Sequence, residues 1–205
     1  MKINTNSWNK IRYTLYTPGY DLLGRIFSSS RKLSISKLNI KTGDKVLIVG
    51  AGTGLDLEFL PMYCEITATD ITQSMIRRLK KRNSLLTLNL KTSVMDGQQL
   101  DFPDESFDKV ILHLILAIIP DPVACIREAE RVLKQNGQIA VFDKFVPKNK
   151  KVSLVRKLLN PFTNILFSDI TRNFESLLNQ TNLTIESDVN ADFGGKFRII
   201  TLLKI

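Results

Sequence analysis

Cysteine and histidine are scarce in this 205-residue chain: Cys64 and Cys125 are the only cysteines, and His113 is the only histidine. Two isolated cysteines give neither a disulfide framework nor a metal-ligand spacing, so a stapled secreted scaffold and a zinc module are excluded. Long apolar runs are also missing. The longest, Val110 to Ile119, is interrupted by His113 and is about half the ~20 residues that a spanning helix needs. The N-terminus is polar and aromatic, without the apolar stretch and small-residue cleavage site of a secretory signal. A cytoplasmic protein is expected, and the glycosylation-like triplets beginning at Asn179 and Asn182 read as chance. There is no internal repeat, low-complexity tract or linker. Residues 1–205 are expected to form one domain, for which 43% apolar residues supply ample core.

Acids are outnumbered, leaving a formal net charge of +9. Arg77, Arg78, Lys80, Lys81 and Arg82 form one basic cluster. Lys144, Lys148, Lys150, Lys151, Arg156 and Lys157 form another, with no acid between Asp143 and Asp169. Such clusters are either a solvated face or a docking surface for an anionic membrane or substrate, at a membrane inner face for example. Nucleic acid is the less favoured partner.

What is present alternates. Lys45–Val49, Glu65–Thr69, a strand within Leu86–Val94, Phe107–Leu114 and Gln138–Phe142 read as short buried strands. Between them lie helical stretches: one from the glycine run toward Phe59, stopped by Pro61; one capped by Thr72; and one opened by Pro122 and ended by Asn136-Gly137. The pattern predicts a Rossmann-like, doubly wound α/β fold. Leu183–Ser187 and Phe197–Lys204, joined through Gly194-Gly195 with no helix between them, should finish the sheet as an antiparallel hairpin. The expected sheet is therefore seven-stranded and mostly parallel. Residues 1–40 should form a helical N-terminal cap, and residues 145–180 a helical insertion.

Three places carry chemistry. Val46-Leu47-Ile48-Val49 runs into Gly50-Ala51-Gly52-Thr53-Gly54, bare backbone against which a ligand can lie at a strand tip. Asp56 and Glu58 follow at once; they would repel a pyrophosphate but suit the ammonium of an amino-acid moiety, the alternative being two side chains that point to solvent. Asp70, ending the second strand, can accept from both hydroxyls of a ribose, with Ile71 covering one face of a base. Asp96 and the Gly97 amide, after the third strand, fit an adenine edge; the alternative is a loop aspartate making its own turn.

These segments, with Leu100–Asp108 and Glu130–Gly137, resemble in order and spacing the motifs of class I S-adenosylmethionine (SAM) methyltransferases. They are most similar to the branch holding ubiquinone/menaquinone C-methyltransferases and bacterial phosphatidylethanolamine N-methyltransferases. The resemblance spans residues 42–143. It implies SAM as cofactor, with Gly50, Ala51, Gly52 and Gly54 near its methionine and ribose, Asp70 on the ribose, and Asp96 with Gly97 on adenine. His113 and Leu114 would flank the methionine and face the acceptor. Two positions depart from the family: Asn136 stands where Pro or Gly is usual, and Gly97 where Ala is usual.

A small-molecule or lipid-like acceptor is expected, a quinone precursor or phospholipid head group. His113 is a candidate base, since an imidazole titrates near neutrality; the alternative is a structural histidine. Asp143, at the tip of the fifth strand, is a second candidate. Tyr13, Tyr16 and Tyr20 share one side of the lead-in and would lid the cofactor, with Tyr20 against it. Residues 151–168 alternate basic and apolar and would cover the acceptor. A nicotinamide oxidoreductase is disfavoured, because the chain lacks a Tyr-x-x-x-Lys pair and a second βαβ half. A nucleic-acid methyltransferase is disfavoured because the fourth strand runs into His113-Leu114-Ile115-Leu116 rather than an Asn/Asp-Pro-Pro-aromatic loop. A non-catalytic SAM-binding protein is the remaining alternative.

Overall fold

The computed structural model describes residues 5–17, 19–147, 152, 158–160, 163–164, 168–191 and 196–205. Seven strands form one sheet: β1 (Lys45–Val49), β2 (Glu65–Asp70), β3 (Leu90–Val94), β4 (Phe107–His113), β5 (Leu133–Lys144), β6 (Leu183–Asn190) and β7 (Phe197–Lys204). The spatial order is β3-β2-β1-β4-β5-β7-β6. The first five strands are parallel, and β7 lies antiparallel between β5 and β6. The order reverses at β1, which puts a crevice at the carboxyl tips of β1, β2 and β4, where such sheets bind ligands.

The period-two alternation of a strand divides the core. Leu47 and Val49 of β1 enter one cluster, together with Cys125, Ile126, Ala129 and Val132 of helix α5 (Pro122–Val132). Val46 and Ile48 enter the other, with Ile35 of α3 (Ser28–Ser36) and Leu79 of α4 (Gln73–Leu86). Both sheet faces are therefore covered, which is why β1 reads as a continuous apolar run. A short helix α6 (Phe174–Leu178) adds Phe174 and Leu177 to the first cluster.

The lead-in is helical as expected: α1 (Asn6–Tyr16), α2 (Tyr20–Gly24), a 3₁₀ turn (Arg25–Phe27) and α3. Several local expectations need correction. The stretch after the glycine run is a single 3₁₀ turn, Leu55–Phe59, because Leu60 is already extended ahead of Pro61. Thr72 occupies the N-cap position of α4, but its side chain makes no capping hydrogen bond; its carbonyl accepts from Met75 and Ile76. Helix α5 ends at Val132 rather than at Asn136-Gly137. Leu133 is extended, fully buried and paired with Phe107, and the β4–β5 register then shifts before Gln138 pairs with Lys109. Asn136 sits in that shift at φ 59°, a left-handed conformation that Asn tolerates better than most residues. Gly194-Gly195, the second basic cluster beyond Lys144, and most of the 151–168 alternation lie outside the described residues.

Candidate active site

β1 delivers the chain into Gly50 at φ 69° and Gly52 at φ 56°. These left-handed turns swing the backbone across the strand tips instead of straight into a helix. A Cβ on Gly50 would lie 2.6 Å from Ile115 Cδ1. Strain and clash therefore act together, and Gly50→Ala is expected to cost roughly 2 kcal/mol, read as a lower unfolding midpoint by calorimetry. Gly97 is explained by a different contact: a Cβ there would meet Val49 Cγ1 at 2.6 Å. That leaves no room for the alanine usual in the family.

Asp70, at the tip of β2, turns back toward this loop. Its Oδ2 accepts from the Gly52 N–H at 2.9 Å and its Oδ1 from the Thr72 N–H at 2.8 Å. Burial pushes its carboxyl above the ordinary range, against the pull of those two amides. Each oxygen keeps acceptor capacity beyond its one amide. Gly50, Gly52, Asp70, Ile71, Asp96, Gly97, Leu114 and Tyr20 all line one crevice. Ala51 and Gly54 do not. Ala51 belongs to the core, and a Cβ on Gly54 would press on Leu79 and Leu57.

Asp96 makes its own turn, accepting from the Gln98 amide at 3.0 Å and from Gln98 Nε2 at 2.9 Å. Its second oxygen also accepts from Asn6 Nδ2. A side-chain amide N–H₂ of α1 thus occupies an acceptor in the crevice wall. Asn6, Asn9 and Tyr13 lay one face of α1 over the crevice. The two asparagines were missed in the sequence, although their 6-9-13 spacing continues the tyrosine face.

A second, mostly apolar cavity of about 570 Å³ adjoins the first. That volume falls within the range of pockets that hold small organic ligands. Tyr13, Tyr20, Leu114 and Ile118 line both spaces and so form the wall between them. Tyr13 packs edge-on against both Tyr16 and Tyr20, with ring centroids 6.1 and 6.2 Å apart. Burial pushes the hydroxyls of Tyr13 and Tyr20 up, so both keep their protons at working pH.

Asp143 stands in the wall of the apolar cavity. Its Oδ2 accepts from the Ala117 N–H at 2.9 Å and its Oδ1 from the Lys144 N–H at 2.8 Å. The residue is 1% exposed. Burial raises its carboxyl to about 6, against those two amides and the charges of Lys144 and Arg172. Arg172 also holds the 114–119 segment, donating to the carbonyls of Leu116 and Ile119.

His113 is elsewhere, and its expected place beside cofactor and acceptor is corrected. It lines neither space. Its Nδ1 lies 2.8 Å from Asp56 Oδ1 and its Nε2 2.9 Å from Ser34 Oγ. A carboxylate can only accept, so Nδ1 carries the proton. Asp56 is corrected too. Instead of facing a ligand it is buried, and both its oxygens accept from Arg31 Nη1 at 2.9 Å. Burial alone would raise its carboxyl, but Arg31 and His113 outweigh that and hold it well below the usual carboxylate range. Glu58 pairs with Arg82 on α4.

Residues 47–141 match a family profile described as a methyltransferase domain. A phosphatidylethanolamine N-methyltransferase of Cereibacter sphaeroides is 28% identical over 168 residues, 81% of either chain. A ubiquinone/menaquinone biosynthesis C-methyltransferase of Cellvibrio japonicus is 29% identical over 147 residues, 65% of this chain but only 58% of that relative's length. In fold, the geranyl diphosphate C-methyltransferase of Streptomyces coelicolor, solved with S-adenosylhomocysteine, superposes with a TM-score of 0.72 at 12% identity, covering 89% of this chain and 80% of that one. With a glycine run turning beside a half-buried acid at the strand tips, and with these likenesses, the chain carries a methyltransferase domain over residues 47–141 similar to those of the class I SAM-dependent enzymes, whose cofactor is S-adenosylmethionine.

Proposed function

We propose that the protein transfers the methyl group to a lipid-like or quinone-like small molecule seated in the apolar cavity, with Asp143 receiving the acceptor's proton. The observation that carries this reading is the shared wall. The crevice that holds Asp70 and Asp96 and the mostly apolar cavity meet at Tyr13, Tyr20, Leu114 and Ile118, so groups bound on the two sides lie next to each other at that seam.

The residues lining the crevice suit the cofactor's chemistry. Asp70 offers acceptor oxygens to a ribose, the backbone from Gly50 to Gly52 lets a ligand approach closely, and Asn6 already places an amide N–H₂ on Asp96 where the amine of adenine would go. When bound, SAM supplies a methyl on a sulfonium, already activated for displacement. The chain's own residues align and shield. Tyr13 and Tyr20 turn aromatic rings toward the seam, and a ring face suits a cationic neighbour. Asp143 takes up the proton that the acceptor loses as its lone pair bonds to carbon. The relatives named for phosphatidylethanolamine and ubiquinone/menaquinone favour an acceptor that is partly polar and partly apolar, as this cavity is.

Asp143 works as a base only when ionised. Activity is therefore expected to fall as pH drops through about 6, and Asp143→Asn to lower kcat by about 100-fold or more while removing that acidic limb. Formation of S-adenosylhomocysteine with phospholipid and quinol acceptors, followed from pH 5 to 8, checks both. An unchanged limb in the Asn variant would sink the role of Asp143. A panel with no product from either acceptor class would sink the acceptor.

A further inference from the structure

Helix α1 is turned inside out. Its covered face holds Asn9, Arg12 and the ring of Tyr13, while Ile11 and Leu15 are 55% and 71% exposed. These two lie four residues apart, on one face of the helix. The next helical stretch repeats the arrangement: Leu22 is 80% exposed and Ile26 60%, again four apart. Single exposed apolar residues are ordinary, but two aligned pairs on neighbouring helices are not.

Both helices border the apolar cavity. Leu15 and Tyr16 line it from α1, and Tyr20, Gly24 and Phe27 from α2 and its 3₁₀ continuation. The charge here has one sign. Lys10, Arg25 and Lys32 are exposed. The sole acid between residues 5 and 37 is Asp21, which is occupied by Arg82 Nη2 at 2.7 Å and by the Thr53 hydroxyl.

We propose that the outward face of α1, α2 and the Arg25–Phe27 turn docks on an anionic lipid bilayer, its Leu and Ile side chains entering the interface and its basic side chains meeting the head groups. A second protein or a second copy of this chain is less suited, because the face has apolar knobs and unopposed positive charge but no acid of its own for a partner's basic groups. No helix among the described residues is long and apolar enough to cross a membrane. The contact is therefore of the kind an amphipathic helix makes lying in the interface. Docked this way, the helices beside the cavity meet the lipid phase. That consequence rests on the lipid-like acceptor proposed above.

The test uses the full chain and vesicles sedimented at low and high salt, one set of phosphatidylcholine and one of equal parts phosphatidylglycerol and phosphatidylcholine. The expected result is binding to the anionic set at least tenfold tighter than to the neutral set. Leu22→Ser with Ile26→Ser should weaken anionic binding about tenfold, and Lys10→Glu with Arg25→Glu should abolish the anionic preference. Calorimetric binding of S-adenosylhomocysteine, unchanged in both double variants, shows that they are folded. Wild-type protein that stays in the supernatant at low salt overturns the proposal, as do variants that sediment like wild type. So does a dimer in sedimentation velocity that the same substitutions dissolve, since a second copy would then own this face. Vesicle binding is read without turnover, so a failed acceptor panel and a failed docking surface are separate results.

Discussion

Asp56→Ala should lower the thermal unfolding midpoint by about 10 °C, although Asp56 touches no ligand space. Its carboxylate is the hub of a buried group joining α3 to the tip of β4. Arg31 and Ser34 come from the helix, His113 from the strand, and Asp56 from the 3₁₀ turn after the glycine run. Removing the hub leaves a guanidinium and an imidazole N–H buried with no partner, a loss of about 3–5 kcal/mol. In a domain of this size each kcal/mol moves the midpoint by roughly 2–4 °C. Asp56→Asn keeps the shape and one acceptor oxygen, and should fall between wild type and Ala.

The sign with pH follows from the depressed carboxyl of Asp56. An unfolded Asp titrates in the ordinary carboxylate range, whereas the folded one stays ionised below it. The stabilisation is therefore complete above that range and lost as pH falls toward the folded value. Asp143 acts oppositely. Its folded value is raised to about 6, so its contribution is fully present below the unfolded carboxylate value and lost as pH rises through 6. Near neutrality Asp56 supports the fold and Asp143 strains it, as expected of a structural group and of the base proposed above. Scanning calorimetry of the two single variants between pH 4 and 8 separates them. If Asp56→Ala unfolds with wild type, the buried group is not what holds the glycine run to α3.

The same residues show what was legible in the sequence and what was not. The strands were readable because a stretch such as Val46–Val49 has only one way to bury both its faces. The hairpin was readable because no helix separates Leu183–Ser187 from Phe197–Lys204. Asp70 was readable because the end of a strand fixes its position to within a residue. Asp56 was not. Gly54, at φ 82°, breaks the periodicity, so spacing no longer says which way the next side chain points. Its partners lie 25 and 57 residues away. His113 was misplaced for a related reason: a strand tip offers two faces, and the choice was made by Ser34, 79 residues earlier. α1 misleads in another way, since its apolar residues face out and its asparagines face the crevice, opposite to the usual amphipathic rule.

Asp70→Ala carries the largest expected effect on binding: at least a 100-fold weaker Kd for S-adenosylhomocysteine, at nearly wild-type stability. Two charge-assisted hydrogen bonds to a ribose diol contribute about 1.5 kcal/mol each at the low end, and about 3 kcal/mol is a factor of roughly 100. Stability should change little, because burial already disfavours this carboxylate. Removing it takes away a desolvated charge along with the two amide contacts to Gly52 and Thr72, and these effects oppose. Asp70→Asn separates the two roles. It can still accept from one amide and one hydroxyl but no longer carries charge, so a Kd about tenfold weaker is expected. A purely structural Asp70 would behave differently: the Ala variant would unfold early, and whatever remained folded would bind the cofactor product normally. Isothermal titration with S-adenosylhomocysteine beside a melting curve for each variant distinguishes the two. A folded Asp70→Ala protein that binds as tightly as wild type would remove the ribose contact, and with it the reason for placing the cofactor across the tips of β1 and β2.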